Sequence, residues 1–165
     1  MNKKFSLTLA GLILFSGFAQ AAATDKFLGT FDLVKSEDKG TFCYDGIVIT
    51  SEGKTMSLFR KDMSSYGPLY SAEVNGAPRD VKYSHGEAFS SLKGQDTVSF
   101  LNNTLTFSFK GRQSIAGIPA IRVTDSLSIK MNSDKKTLQV ERRSTEGPVA
   151  GIGKKDSASC VYVKQ

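Results

Sequence analysis

The sequence predicts an all-β protein, an antiparallel up-and-down barrel of about eight strands with one short helix; a β-sandwich is the alternative. Three observations carry this. Apolar and polar residues alternate with period two through most of the chain, the pattern of strands with one buried and one wet face. Turn-forming pairs such as Asn75-Gly76 and Asn102-Asn103 recur between the alternating runs. The two cysteines, Cys43 and Cys160, stand near opposite ends of the chain, and a bond between them brings an early strand beside the last one, which favours closure.

The first segment lies outside this pattern. Lys3 and Lys4 form a basic start, residues 5–18 are apolar, and Ala19-Gln20-Ala21 and Ala21-Ala22-Ala23 both satisfy the small-x-small cleavage rule. The apolar run is short for a bilayer span. Residues 1–23 read as a bacterial export leader and residues 24–165 as one β-barrel domain, with no Cys placed for lipid attachment. An exported chain with two cysteines is expected to join them, so a Cys43–Cys160 disulfide is predicted.

Strands follow in order. Residues 27–35 place Phe27, Gly29, Phe31 and Leu33 on one face. Residues 41–50 and 54–60 flank a turn at Glu52-Gly53, and residues 69–74 end at Asn75-Gly76 and Pro78. Ser84, His85, Gly86 and Glu87 have the Ser-x-x-Glu form of a capping box; Ala88, Phe89 and Leu92 then give a short helix a stripe, ended by Gly94. Residues 96–101 and 104–110 flank Asn102-Asn103, which sets Phe100 opposite Leu105 and Val98 opposite Phe107. Residues 120–131 form the longest run, with Ile121, Val123, Leu127, Ile129 and Met131 on one face. Asn132 to Lys135 turns the chain into residues 136–144, and after a glycine-rich loop residues 157–164 close the domain.

Phe27-Leu28-Gly29-Thr30-Phe31-Asp32-Leu33-Val34 resembles the opening strand of the calycin superfamily (lipocalins and fatty-acid-binding proteins), whose pattern is Gly-x-Trp; Phe31 stands where Trp is usual. Cys160-Val161-Tyr162-Val163-Lys164 resembles the last barrel strand of fatty-acid-binding proteins. The resemblance covers about a dozen residues at the two ends and implies a lipocalin-like up-and-down barrel with a cavity for a small, usually apolar ligand.

Composition narrows the function. The net charge is +6 over 165 residues, and loss of Lys3 and Lys4 with the leader lowers it to +4. The basic residues are scattered and not interleaved with aromatics, which argues against a nucleic-acid surface. With a single histidine and two cysteines expected in a disulfide, neither an imidazole-based catalytic pair nor a tetrahedral metal site is expected. Gly151, Gly153 and Lys154 lack phosphate-loop spacing. No cofactor and no enzymatic activity are predicted, and no integral membrane span remains after cleavage.

Candidate site residues come from the inward faces. Phe31, Phe100, Phe107, Leu127 and Ile129 are expected to line the interior. The proposed hairpin registers oppose Asp45 with Arg60 and Asp125 with Arg142 on otherwise apolar faces, where an unpaired charge is costly. Either Arg142 or Arg60 has the guanidinium fork to hold a ligand carboxylate. Tyr66, Ile115 and Ile118, in end loops at residues 61–68 and 111–120, are candidate contacts for a ligand or a protein. The expected function is to hold a small apolar or amphipathic molecule in the periplasm or outside the cell. The alternative is a filled barrel that binds or inhibits an exported protein through its loops.

Overall fold

The computed structural model describes residues 23–38, 43–62, 67–84, 90–115, 118–148 and 153–165. A single 3-10 turn, Asp25–Phe27, leads into ten strands: β1 (Gly29–Asp38), β2 (Gly46–Glu52), β3 (Thr55–Arg60), β4 (Tyr70–Glu73), β5 (Arg79–Ser84), β6 (Ser90–Leu101), β7 (Thr104–Ile115), β8 (Ile118–Met131), β9 (Thr137–Pro148) and β10 (Lys154–Lys164). They form one sheet in the order β4-β3-β2-β1-β10-β9-β8-β7-β6-β5. Neighbours in the sheet are antiparallel, and the pairing of first with last strand places both ends of the domain at the sheet's centre.

The β4 edge of this order comes round against β6, with β5 beside it, along a seam. Val74 bridges Val98 on β6 in parallel, and Asn75 N donates to Val98 O at 2.8 Å. The Asn75 side chain then acts as a strand residue would. Its Oδ1 accepts from Phe100 N at 2.8 Å and its Nδ2 donates to Phe100 O at 3.2 Å. Below, the buried Asp96 carboxylate accepts from Ser71 N at 3.1 Å, and Arg79 donates to Ser71 O at 3.4 Å. Side chains thus satisfy an edge that would otherwise expose backbone groups. The result is a nearly closed up-and-down barrel.

Burial is graded along the barrel axis. Phe31, Ile47, Ile49, Met56, Leu58, Leu105, Phe107, Ile129, Leu138 and Val140 are almost completely buried in one cluster. Phe27 stoppers that end: its ring meets Phe100 edge-on at 6.0 Å, and Lys26 lies over both rings. Toward the other end, the inward row Val81, Gly94, Gly111 and Val123, formed by direct partners on β5 to β8, is only partly buried.

Several expectations change. The chain has ten strands instead of about eight; β5 carries only Val81 and Tyr83 as alternating apolar residues behind Pro78, too thin a signal beside the nearby turn. The predicted helix is overruled by sheet pairing: Ser84 pairs with Ser91, and Leu92 and Gly94 lie in β6. His85 to Phe89, the middle of that prediction, lie outside the described residues, as does the predicted leader up to Ala22. Phe27 belongs to the 3-10 turn, and residues 111–115 and 118–120, expected as loop, extend β7 and β8.

The Asn102-Asn103 turn is as expected, with both residues at positive φ and Phe100 opposite Leu105. Two other hairpins are shifted by two residues. Gly53, at φ 59°, turns with Lys54, so Ile49 faces Leu58 and Ile47 faces Arg60. On β8 and β9, Met131 faces Leu138 and Leu127 faces Arg142. An even shift keeps every side chain on its expected face and changes only its partner.

Candidate functional site

Where the packed half of the barrel gives way to the partly open half, the inward faces carry charge and phenols. Arg142 on β9 follows Leu138 and Val140 on the same face, and Asp125 on β8 follows the same rule with Leu127 and Ile129. The two-residue shift places Arg142 diagonal to Asp125 across the sheet, a separation that a long side chain spans. The guanidinium grips the carboxylate twice, Nε to Oδ1 at 3.2 Å and Nη2 to Oδ2 at 2.6 Å, with the side chains 14% and 13% exposed. Desolvation is the largest single influence and opposes the Arg142 charge, but the Asp125 hydrogen bonds, together with the electrostatic pull of Tyr44, Asp125 and Tyr70, outweigh it and hold the guanidinium pKa above its usual value.

Tyr44 is the hub of this cluster. The guanidinium carbons of Arg142 and Arg60 lie 5.0 Å and 5.1 Å from its ring centre, within cation–π range. Its carbonyl accepts the Tyr162 hydroxyl at 3.0 Å. Tyr44 follows Cys43, whose disulfide to Cys160, with Cα atoms 5.9 Å apart, ties this segment to β10 two residues before Tyr162. The segment is therefore held at two points on one strand. Tyr70 reaches the cluster from β4, its ring 6.2 Å from Phe107.

All three phenols resist ionisation. Burial raises Tyr44, with the Arg142 charge opposing it, and raises Tyr70 well above the usual value together with the Asp125 carboxylate. Burial lifts Tyr162 to about 12 despite its bond to the Tyr44 carbonyl. The cluster thus presents neutral phenols and two guanidiniums, one locked to Asp125.

Sequence reasoning placed Arg142 with Asp125 and Cys43 with Cys160, and both pairs form. The Asp45–Arg60 pair does not. The shifted register puts Ile47 opposite Arg60, and Arg60 binds Asp62 instead, at 2.7 Å on the half-exposed rim. Phe31, Phe107, Leu127 and Ile129 face inward as expected but are packed in the buried cluster; Phe100 is partly buried beside Phe27. Ile118 is 70% exposed at the β7–β8 tip, Ile115 closes β7, and Tyr66 lies outside the described residues. Tyr44, Tyr70 and Tyr162 were missed; the one available signal was that Tyr44 and Tyr162 flank the two cysteines.

An open hollow of about 490 Å³ lies along β5 and β6, lined by Asp80, Val81, Lys82, Lys93, Gly94 and Gln95. Among the described residues no group of three His, Cys, Asp or Glu side chains is placed to hold a metal ion, and no helix is long and apolar enough to cross a membrane.

No family model matches the sequence, and no curated protein matches it. Among solved structures, the crystal structure of Rv2717c from M. tuberculosis superposes with a TM-score of 0.41 at 16% identity, over 87% of this chain and 96% of that one. None of these comparisons identifies a family for the chain.

Proposed function

We propose that this is an exported, non-catalytic barrel of lipocalin-like type that holds a small amphipathic molecule at its open end. The observation that carries the reading is the grading of the interior, with the Arg142–Asp125 pair and the Arg60–Tyr44 contact standing at the boundary between packed and partly open halves. An apolar tail would lie against Val81, Leu92 and Val123, and an acidic head would draw on Arg60 or Arg142 through the guanidinium fork. The resemblance of the terminal strands to calycins supports the same reading. The disulfide and the leader-like residues 1–23 support export to the periplasm or beyond, since disulfides persist in oxidising compartments.

Native mass spectrometry of protein taken from its own cell envelope tests this, with a co-purified lipid-sized mass as the expected result. Binding of a fluorescent fatty acid should then weaken about tenfold or more in Arg60→Met, which leaves the buried pair intact. Arg142→Met combined with Asp125→Leu tests the second guanidinium without stranding a buried carboxylate. Co-purification of a protein and no small mass would overturn the carrier reading. It would favour recognition through the loops, for which the exposed Ile118 is the supporting observation.

A further inference from the structure

The basic residues that are dispersed in the sequence come together on the outer face of β5 to β8. Lys82 is the direct partner of Lys93, Lys93 of Arg112, and Arg112 of Arg122. Each alternates with inward residues such as Val81, Gly94, Gly111 and Val123, and all four are exposed. The register therefore builds a straight row of four like charges across four adjacent strands, about 14 Å long at the usual strand spacing. Lys110 stands in the next row, opposite Gln95 and Thr124. The acid on that side, Asp80, accepts a hydrogen bond from Gln95 at 3.0 Å. Among the described residues none of the four is in an ion pair.

Like charges placed directly opposite on adjacent strands destabilise a sheet. A row of four is a standing cost to the fold that an anionic surface would offset. The same pair of strands supplies an exposed apolar side chain near the row: Ile118, which opens β8 four residues before Arg122, is 70% exposed. Basic residues beside an exposed aliphatic side chain are the two elements of peripheral attachment to an anionic bilayer, one drawn to the headgroups and the other inserted beyond them.

We infer that the β7–β8 hairpin and the Lys82–Lys93–Arg112–Arg122 row dock this protein on an anionic phospholipid membrane surface. This rests on residues separate from the interior cluster and holds whether or not the barrel carries a ligand.

The test is sedimentation of the protein, as its cell produces it, with vesicles of phosphatidylcholine alone or mixed with phosphatidylglycerol. The expected result is binding that requires phosphatidylglycerol and declines with salt. Arg112→Gln with Arg122→Gln should weaken it roughly thirtyfold. Ile118→Ser should weaken it roughly tenfold while leaving the salt dependence unchanged. Equal binding to both kinds of vesicle, or full binding by the doubly neutralised variant, would overturn the inference. So would capture by single-stranded DNA in preference to the vesicles, which would make the row a nucleic-acid contact.

Discussion

At the scale of single residues, two glycines mark how tightly the inner wall is drawn. Gly94 and Gly111 are direct partners on β6 and β7, and the Phe109 ring lies across both. A Cβ on Gly111 would stand 2.2 Å from Phe109 Cζ and 2.5 Å from Lys93 O; one on Gly94 would stand 2.3 Å from Lys110 O. Gly111→Ala should therefore cost about 1–3 kcal/mol, read from the urea midpoint. Because one clash is with backbone, adding Phe109→Leu should restore only part of the loss; full recovery would show that the ring alone sets the limit. The buried phenols give a second residue-scale prediction. Their pKa values in the folded protein lie above the unfolded value, so their contribution is fully present below about pH 10. From there to about 12, where Tyr162 itself ionises, the unfolded chain binds fewer protons and stability falls as pH rises. Unfolding midpoints across this range should drop steadily, while ultraviolet titration of the folded protein shows tyrosines that stay protonated. A midpoint that stays flat would place these phenols in water.

At the scale of elements, the disulfide does two things that are separable by measurement. It closes a separation of 117 residues, for which chain entropy gives a stabilisation of about 4–5 kcal/mol. It also fixes Tyr44 against the two guanidiniums, because Cys43 is its chain neighbour. Pairing of β1 with β10 runs from Phe31 to Asp38 and does not depend on the bridge. A Cys43→Ser, Cys160→Ser variant should remain folded with a lowered Tm, and its Tyr44 should titrate at lower pH than in the oxidised protein. Loss of the fold altogether would show that strand pairing alone does not sustain the barrel. The hairpins teach a related lesson about legibility. Asn102-Asn103 was readable because a two-residue turn at positive φ fixes its own register. The turns at Gly53-Lys54 and after Met131 were each misplaced, which left Asp45 without its expected partner. Arg142 still met Asp125 because its side chain spans the diagonal.

At the scale of the whole molecule, the outer face and the interior follow different rules. The interior obeys alternation, and its Arg142 is matched by Asp125. The outer face of β5 to β8 concentrates one sign of charge. Lys93→Glu would place an acid between Lys82 and Arg112, converting two repulsive contacts into two attractive ones, and should raise stability by about 0.5–1 kcal/mol with a corresponding rise in Tm. An unchanged Tm would mean that salt and water already screen the row.

The alternating pattern by itself determined the all-β class, the inward faces of Phe31, Phe107, Leu127, Ile129 and Arg142, and the pairing of the only two cysteines. Those properties follow from a side-chain period of two and from simple counting, and neither depends on which strand lies alongside. Strand number, the seam at Asn75, the gathering of Tyr44, Tyr70 and Tyr162 around Arg142, and the alignment of Lys82, Lys93, Arg112 and Arg122 were decided only in the tertiary structure. Each depends on register, and a shift of two residues leaves the sequence pattern untouched while changing every partner across the sheet.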